Sequence, residues 1–221
     1  MPNTPLPEWE ALLSSAAHLQ SIIPEAVLVG GTAAASFAHH RISLYHDHTV
    51  GDLKLRFDEI LATLESVAGW KTARIKRPVL ILGSLDGIET GVRQLIREAP
   101  LETETLEIDN AKLTVPTKPE MLRIKAVLIV KRNATRDYLD FVAMAELIGF
   151  DAAVTALKSF DELYPQSNGQ SAKQQLQIQL SNPMPYDLDE TNLREYKRLK
   201  AEYQDWSAVA EKCRKVANLL W

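Results

Sequence analysis

A glycine pair set between two extended segments is the feature that most constrains how this 221-residue chain can fold. Residues 27–30 are mostly apolar and predict a short strand, which leads into Gly30, Gly31 and Thr32 and then into an alanine-rich helix. Glycine lets other groups approach the backbone closely, and the N–H groups at the start of a helix favour anions. The segment therefore predicts a phosphate-binding turn or, without a ligand, a tight connection between strand and helix.

A second extended segment, residues 42–50, carries several polar side chains. Because alternate residues of a strand share a face, we expect Ser43, Tyr45, Asp47 and Thr49 to lie together. Metal-dependent nucleotidyl transfer uses carboxylates at this i, i+2 spacing to hold metal ions. Asp47 supplies one carboxylate, whereas Tyr45 stands where the other would be.

Two histidines of the same segment, His46 and His48, fall on the opposite face of the predicted strand. This spacing could serve zinc, but Asp47 points to the other face and no Cys or further His stands at ligand spacing. The pattern favours a strand without a zinc site.

The helix predicted from Thr117 to about Lys131 carries a lysine inside its apolar stripe. Lys125 lies in the middle of that stripe, although lysine is almost never fully buried unless it is paired. Two interpretations follow: the side chain reaches solvent past its neighbours, or its ammonium group points into a cleft where it meets phosphates.

The next predicted helix, about residues 135–149, places two aspartates beside its apolar stripe. Asp137 and Asp140 lie in its first two turns, and Arg136 could pair with Asp140 at i, i+4 on the helix surface. The pattern alone leaves surface pairing and a role in a site both open.

Both segments resemble one protein family. The string GGTAAASFAHHRISLYHDH is similar to the first motif of the AbiEii/AbiGii-type nucleotidyltransferase toxins, which belong to the DNA polymerase beta-like nucleotidyltransferase superfamily. Residues 122–148 resemble the lysine helix and the Arg-Asp-x-x-Asp helix of the same family. The matching positions are Gly30, Gly31, Thr32, His40, Arg41, Ser43, Asp47, Lys125 and Asp137. Tyr45 departs from the motif, because the family has its first aspartate there.

The resemblance implies Mg²⁺-dependent transfer of a nucleotide from an NTP to an acceptor such as the 3′ end of a tRNA. It also implies a bacterial toxin–antitoxin or abortive-infection role, with an antitoxin protein as partner. Asp47 would hold Mg²⁺, Lys125 would neutralise phosphate charge, and Asp137 would add a carboxylate, with Glu89 as a weaker third choice. The implied nucleotide-binding residues are Gly30, Gly31, Thr32, Arg41 and Ser43.

The alternative is a catalytically degenerate nucleotidyltransferase fold that acts as a nucleotide- or protein-binding module. Tyr45 motivates it, because a phenol is a poor ligand for Mg²⁺, which prefers hard carboxylate oxygens.

The order of predicted elements indicates an α+β fold with a nucleotidyltransferase-like mixed sheet and flanking helices, followed by a helical C-terminal half. We place the α/β core at residues 1–116 and a helical domain that completes the cleft at residues 117–221. The predicted helices are 7–23, 33–38, 51–67, 117–131, 135–149, 151–163, 173–180, 192–203 and one that starts after Asp205. The predicted strands, besides those above, are 70–75, 79–82, 88–96 and a hairpin over 106–115 that turns at Asp109-Asn110.

The composition limits the classes of partner that we expect for this chain. The net charge of -4 provides no global basic field, so contact with RNA requires a local patch. The cationic face of the predicted helix 192–203 is one candidate, and a solvated helix face is the other interpretation. The single Cys213 fits a reducing cytoplasm, and the absence of a long apolar run predicts no membrane partner.

Overall fold

The computed structural model describes residues 9–108 and 111–220 and has the expected α+β architecture. The chain divides into two compact units. The first contains the described residues up to 33 together with 43–116, and the second contains 34–42 together with the described residues from 117 onward. The segment 34–42 therefore groups with the helical half, a placement that differs from the division at residue 116 expected from the sequence.

The first unit is a five-stranded mixed sheet, a separate two-stranded hairpin and two helices. Its elements are α1 (Trp9–Ile22), β1 (Val27–Val29), α3 (Leu53–Glu65), β2 (His46–Val50), β3 (Trp70–Lys76), β4 (Leu80–Leu85), β5 (Ile88–Gln94), β6 (Thr103–Ile108) and β7 (Ala111–Pro116). Helix α2 (Gly30–Ala38) begins in this unit, and its later residues belong to the second. The strand order is β1-β2-β5-β4-β3, with β2 and β5 parallel and every other neighbour antiparallel. The predicted turn at Asp109-Asn110 lies outside the described residues.

The strand registers divide the sheet into two faces. The core face carries alternate apolar residues, including Leu28, Ile81 and Val92, which are fully buried. Ile81 and Val92 belong to one hydrophobic cluster with residues of α1 and α3. The opposite face, called the polar face below, consists of Val27, Val29, Asp47, Thr49, Lys71, Arg74, Lys76, Leu80, Leu82, Ser84, Glu89, Gly91 and Arg93.

The second unit is helical. Its elements are the later part of α2, then α4 (Lys118–Arg132), α5 (Thr135–Ile148), α6 (Phe150–Ala156), α7 (Phe160–Leu163), α8 (Ala172–Ser181), a 3-10 turn (Ala201–Tyr203) and α9 (Trp206–Leu219). Helix α4 begins as predicted, because the Thr117 side chain accepts a hydrogen bond from the Glu120 amide. None of the helices within the described ranges is long and apolar enough to cross a membrane.

The prediction of a helix over residues 192–203 is wrong. Lys197 and Arg198 have φ angles of 45° and 51°, which a right-handed helix cannot accommodate. Backbone hydrogen bonds explain this geometry, because the Ile42 amide donates to the Lys197 carbonyl and the Lys200 amide donates to the His40 carbonyl. Only the short 3-10 turn at the end of the segment is helical, so the cationic helix face proposed for RNA does not exist.

Glycine at position 83 is required where Trp70 crosses the core face. A Cβ atom there would lie 2.6 Å from the Lys71 carbonyl oxygen and 2.6 Å from Cζ2 of Trp70. We expect Gly83→Ala to lower the free energy of unfolding by about 1–3 kcal/mol through overpacking. Gly51→Ala is the matched control, because no atom lies within 4 Å of its new Cβ. Equal urea-denaturation midpoints for the two variants would contradict the packing of Trp70 on Gly83.

Candidate functional site

The turn that follows β1 uses its hydroxyl groups internally. Gly30 begins α2 with a φ of 76°, a conformation that favours glycine. The Thr32 hydroxyl lies 2.6 Å from the Tyr45 carbonyl oxygen and 2.9 Å from the Ser43 hydroxyl, which is itself 3.1 Å from the same carbonyl. Thr32 and Ser43 are both buried. These two predicted nucleotide-binding hydroxyls therefore hold the turn together.

The predicted face of the second extended segment is only partly correct. Strand β2 starts at His46, so Asp47 and Thr49 share a face, whereas Ser43 and Tyr45 precede the strand. The hydroxyl contacts to the Tyr45 carbonyl explain the late start, because that carbonyl is bound to side chains.

Asp47 lies over a gap in the sheet that Gly91 provides. A Cβ atom at Gly91 would be 2.2 Å from Oδ1 of Asp47, and one at Gly30 would be 3.4 Å from Oδ2. Oδ1 accepts a hydrogen bond from Nε of Arg93 at 3.0 Å, and the Asp47 side chain is 16% exposed. Glu89 lies exposed on the same polar face. Asp47 is thus an accessible carboxylate that already has one cationic partner.

Lys125 ends on a carboxylate that the sequence analysis did not select. Its ammonium lies 2.8 Å from Oδ2 of Asp140 and is 1% exposed. Arg41 grips the same carboxylate with two hydrogen bonds, Nε to Oδ1 at 2.8 Å and Nη2 to Oδ2 at 2.9 Å. The side chain of Lys125 neither reaches solvent nor stands alone; it belongs to a buried ion cluster inside the second unit.

Protonation within this cluster follows from burial and charge. Burial alone would raise the pKa of Asp140, but Arg41, Lys125 and the hydrogen bond from His40 outweigh it and hold that pKa well below its usual range. Burial lowers the pKa of His40 despite its contact with Asp140, so the imidazole is neutral. His40 then donates from Nε2 to Oδ1 at 2.7 Å, and its Nδ1 has no hydrogen-bond partner in the described part of the chain.

Asp137 is paired separately. Arg132 donates to both of its oxygens, from Nε at 2.5 Å and from Nη2 at 2.6 Å, and the Asp137 side chain is fully buried. Asp140 is also fully buried, which excludes the surface pairing with Arg136 that the helix pattern offered. Two signals could have identified Asp140: a lysine in an apolar stripe needs an anionic partner, and Asp-x-x-Asp spacing puts both carboxylates near one face of a helix.

The predicted site residues fall in both units. Asp47 belongs to the first unit, whereas Arg41, Lys125 and Asp137 belong to the second. That Asp47, Lys125 and Asp137 serve one reaction stays a prediction.

The magnesium site expected at Asp47 stays a prediction. Residues 9–108 and 111–220 contain no group of three His, Cys, Asp or Glu side chains placed to hold a metal ion. Asp47, the expected ligand, is paired with Arg93, and the residue expected to be its partner is a tyrosine.

The two histidines of β2 are neutral core residues. His46 places Nε2 3.0 Å from both the Ser15 and the Thr90 hydroxyls, and its Nδ1 lies 3.4 Å from Nδ1 of His48. Burial lowers the pKa of His46 to about 4 and that of His48 well below its usual value. The ring of His46 is thus used in hydrogen bonding rather than turned toward a ligand.

Comparison with known proteins leaves the family open. No family model matches the sequence. The mycolic acid-containing lipids exporter MmpL11 of Mycolicibacterium smegmatis is 32% identical over 124 residues, which cover 55% of this chain and 13% of the exporter. The heme uptake protein MmpL11 of Mycobacterium tuberculosis is 32% identical over 124 residues, 55% of this chain and 12% of that protein. The chain thus spans about an eighth of the length of the curated relatives it matches.

One solved structure is also similar, an antigenic nucleotidyltransferase-like protein from Paracoccidioides brasiliensis. It has a TM-score of 0.44 and 14% identity and covers 70% of this chain and 88% of its own. A likeness of this size decides neither fold nor activity.

The geometry of the Asp140 cluster predicts that its members contribute unequally to the free energy of unfolding. Asp140→Asn leaves Arg41 and Lys125 buried without their carboxylate, so we expect a loss of about 3–5 kcal/mol in the free energy of unfolding. Lys125→Met leaves Asp140 held by the Arg41 fork and should cost less than about 1.5 kcal/mol. Asp189→Asn, at an exposed position of the same unit, is the control and should change stability by less than about 0.5 kcal/mol. Urea denaturation of the three variants measures this order, and equal losses for Asp140→Asn and Lys125→Met would contradict it.

The buried imidazole of His46 predicts a pH-dependent stability. Between pH 6.5 and about 4 the unfolded chain binds a proton at this residue that the folded chain does not. Stability should therefore fall with decreasing pH by about 1.4 kcal/mol per pH unit for this group. In urea denaturation at pH 7, 6 and 5, His46→Gln should reduce the slope of stability against pH by that amount. An unchanged slope would show that the folded chain protonates His46 as readily as the unfolded chain.

Proposed function

We propose that this chain is a catalytically degenerate nucleotidyltransferase-like protein that binds nucleotides without transferring them. The nucleotidyltransferase part of the proposal comes from the motif resemblance. The observation that carries the loss of transfer is the buried cluster in which Asp140 binds both Arg41 and Lys125.

The cluster removes the charges that transfer would need. A cation helps phosphoryl chemistry by meeting the charge that builds on the phosphate oxygens. Lys125 is 1% exposed, and its ammonium is already neutralised by a carboxylate. Moving the ammonium toward a substrate would break this buried ion pair. The carboxylate of Asp137 is likewise neutralised by an ion pair with Arg132.

The polar face of the sheet keeps groups that suit binding. Arg93 is 46% exposed and, among the described residues, engages Asp47 only through Nε. Its remaining N–H donors suit a nucleotide phosphate, since guanidinium groups bind phosphate with paired hydrogen bonds. Asp47 positions the guanidinium by accepting from Nε, and the Asp47 carboxylate itself fills the space above Gly91.

Two experiments test the proposal. Calorimetric titration with each NTP measures binding, and incubation with labelled NTP, Mg²⁺ and total tRNA measures transfer. We expect binding without labelled RNA from the wild-type protein. Arg93→Gln should weaken binding by about tenfold, the effect of losing roughly 1.4 kcal/mol of charge-assisted hydrogen bonding. Lys54→Gln, which removes an exposed lysine of the same unit, is the control.

Tyr45→Asp tests the degenerate position directly. It restores the carboxylate two residues before Asp47, and two close carboxylates repel each other until a cation binds. The variant should therefore melt at a lower temperature than wild type without Mg²⁺ and recover with Mg²⁺. Labelled tRNA from the wild-type protein would overturn the proposal and favour an active Mg²⁺-dependent toxin enzyme, and a search for a co-purifying antitoxin would then follow.

A further inference from the structure

The edge strand β3 carries a row of cations on the polar face. Lys71, Arg74 and Lys76 are all exposed, and none has a carboxylate partner within residues 9–108 and 111–220. We propose that this row binds the phosphate backbone of a single-stranded polynucleotide. The inference extends the proposed function from mononucleotides to a polymer and rests on it only in using the same face of the sheet.

A bulge is what brings the three cations together. Lys71 pairs with Ser84, Arg74 with Leu82 and Lys76 with Leu80, and the register shifts between Thr72 and Arg74. Without that shift, alternation would place Arg74 and Lys76 on the face opposite Lys71. An edge strand that needed charge only to avoid unwanted pairing would gain nothing from putting all of it on one face.

The row of cations is long enough to contact several phosphates of one polynucleotide rather than a single phosphate. From Lys71 to Lys76 the strand extends about 17 Å at roughly 3.3 Å per residue. Lys76 continues across Leu80 to Arg93 in the same cross-strand row. Two strand spacings, about 10 Å, separate the backbones of Lys76 and Arg93. A strand of phosphates along β3 would therefore pass close to the Arg93 side chain.

The composition of the face favours phosphate contacts over base recognition. The described strands place no aromatic ring on the polar face on which a base could stack, and the chain as a whole has a net charge of -4. Attraction is therefore local and electrostatic. Binding of this kind is independent of sequence and strongly dependent on salt, because each phosphate contact releases counterions.

Fluorescence anisotropy with labelled fifteen-nucleotide oligo-U and oligo-dT, over a range of KCl concentrations, tests the inference. The triple variant Lys71→Gln, Arg74→Gln, Lys76→Gln should lower the slope of log affinity against log salt by about 2, from three contacts of about 0.7 each. Its affinity should fall at least tenfold for both oligomers. Arg74→Gln alone should lower the slope by about 0.7 and decides the matter if the triple variant does not fold.

A charge-matched control is Lys54→Gln, Lys131→Gln, Lys158→Gln, which removes three exposed lysines away from β3 and should keep the wild-type slope. Equal slopes for the two triple variants would overturn the inference. So would equal affinity of the wild-type protein for polyglutamate, which would show a general acidic partner. Preference for one oligomer would identify RNA or DNA as the source of the phosphates.

ATP binding by the β3 variant should be unchanged, so that loss of oligomer binding alone leaves the proposed function standing.

Discussion

The buried carboxylate of Asp140 is the interaction on which the second unit depends. Three segments of the chain meet there: Arg41 from the segment after α2, Lys125 from α4 and Asp140 itself from α5. Burying such charges costs several kcal/mol per ion and is tolerated only when nearly every hydrogen bond is made. The paired hydrogen bonds from Arg41 and the ion pair from Lys125 therefore hold α5 against both the segment after α2 and α4. It also accounts for the grouping of residues 34–42 with the helical unit rather than with the strands that flank them in sequence.

The same contact links packing to chemistry. Arg41 and Lys125 carry the family resemblance as phosphate-binding cations, yet both end on a carboxylate inside the protein. A residue pattern therefore reports which groups come close together, but the charge balance among them decides whether a substrate can use them. Here the balance is reached internally, whereas Lys71, Arg74 and Lys76 of β3 and Arg93 of β5 in the first unit are exposed.

Local patterns predicted most of the fold. Helices α1, α4 and α5 and strands β3 to β5 lie within a few residues of their expected positions, because apolar periodicity and capping residues act over short distances. The errors arose where distant backbone or side-chain partners override local preference. Residues 197–198 adopt left-handed φ angles beside segment 34–42, and β2 begins late because two hydroxyls bind the Tyr45 carbonyl. Asp140 was passed over for a related reason, since its three partners are remote in sequence or on another helix.

Strand alternation explains both the core and the exposed face of the sheet. Successive side chains of a strand point to opposite faces. The strands that place Ile81 and Val92 in the core therefore present their alternate side chains on the polar face. Gly91 shows the consequence at Asp47, where a missing side chain makes room for a carboxylate. The bulge between Thr72 and Arg74 shows it at the edge, where one extra residue moves two cations across the sheet. A single inserted residue thus changes which face carries the charge without changing the composition of the strand, which is why the cation row follows from the register and not from the sequence alone.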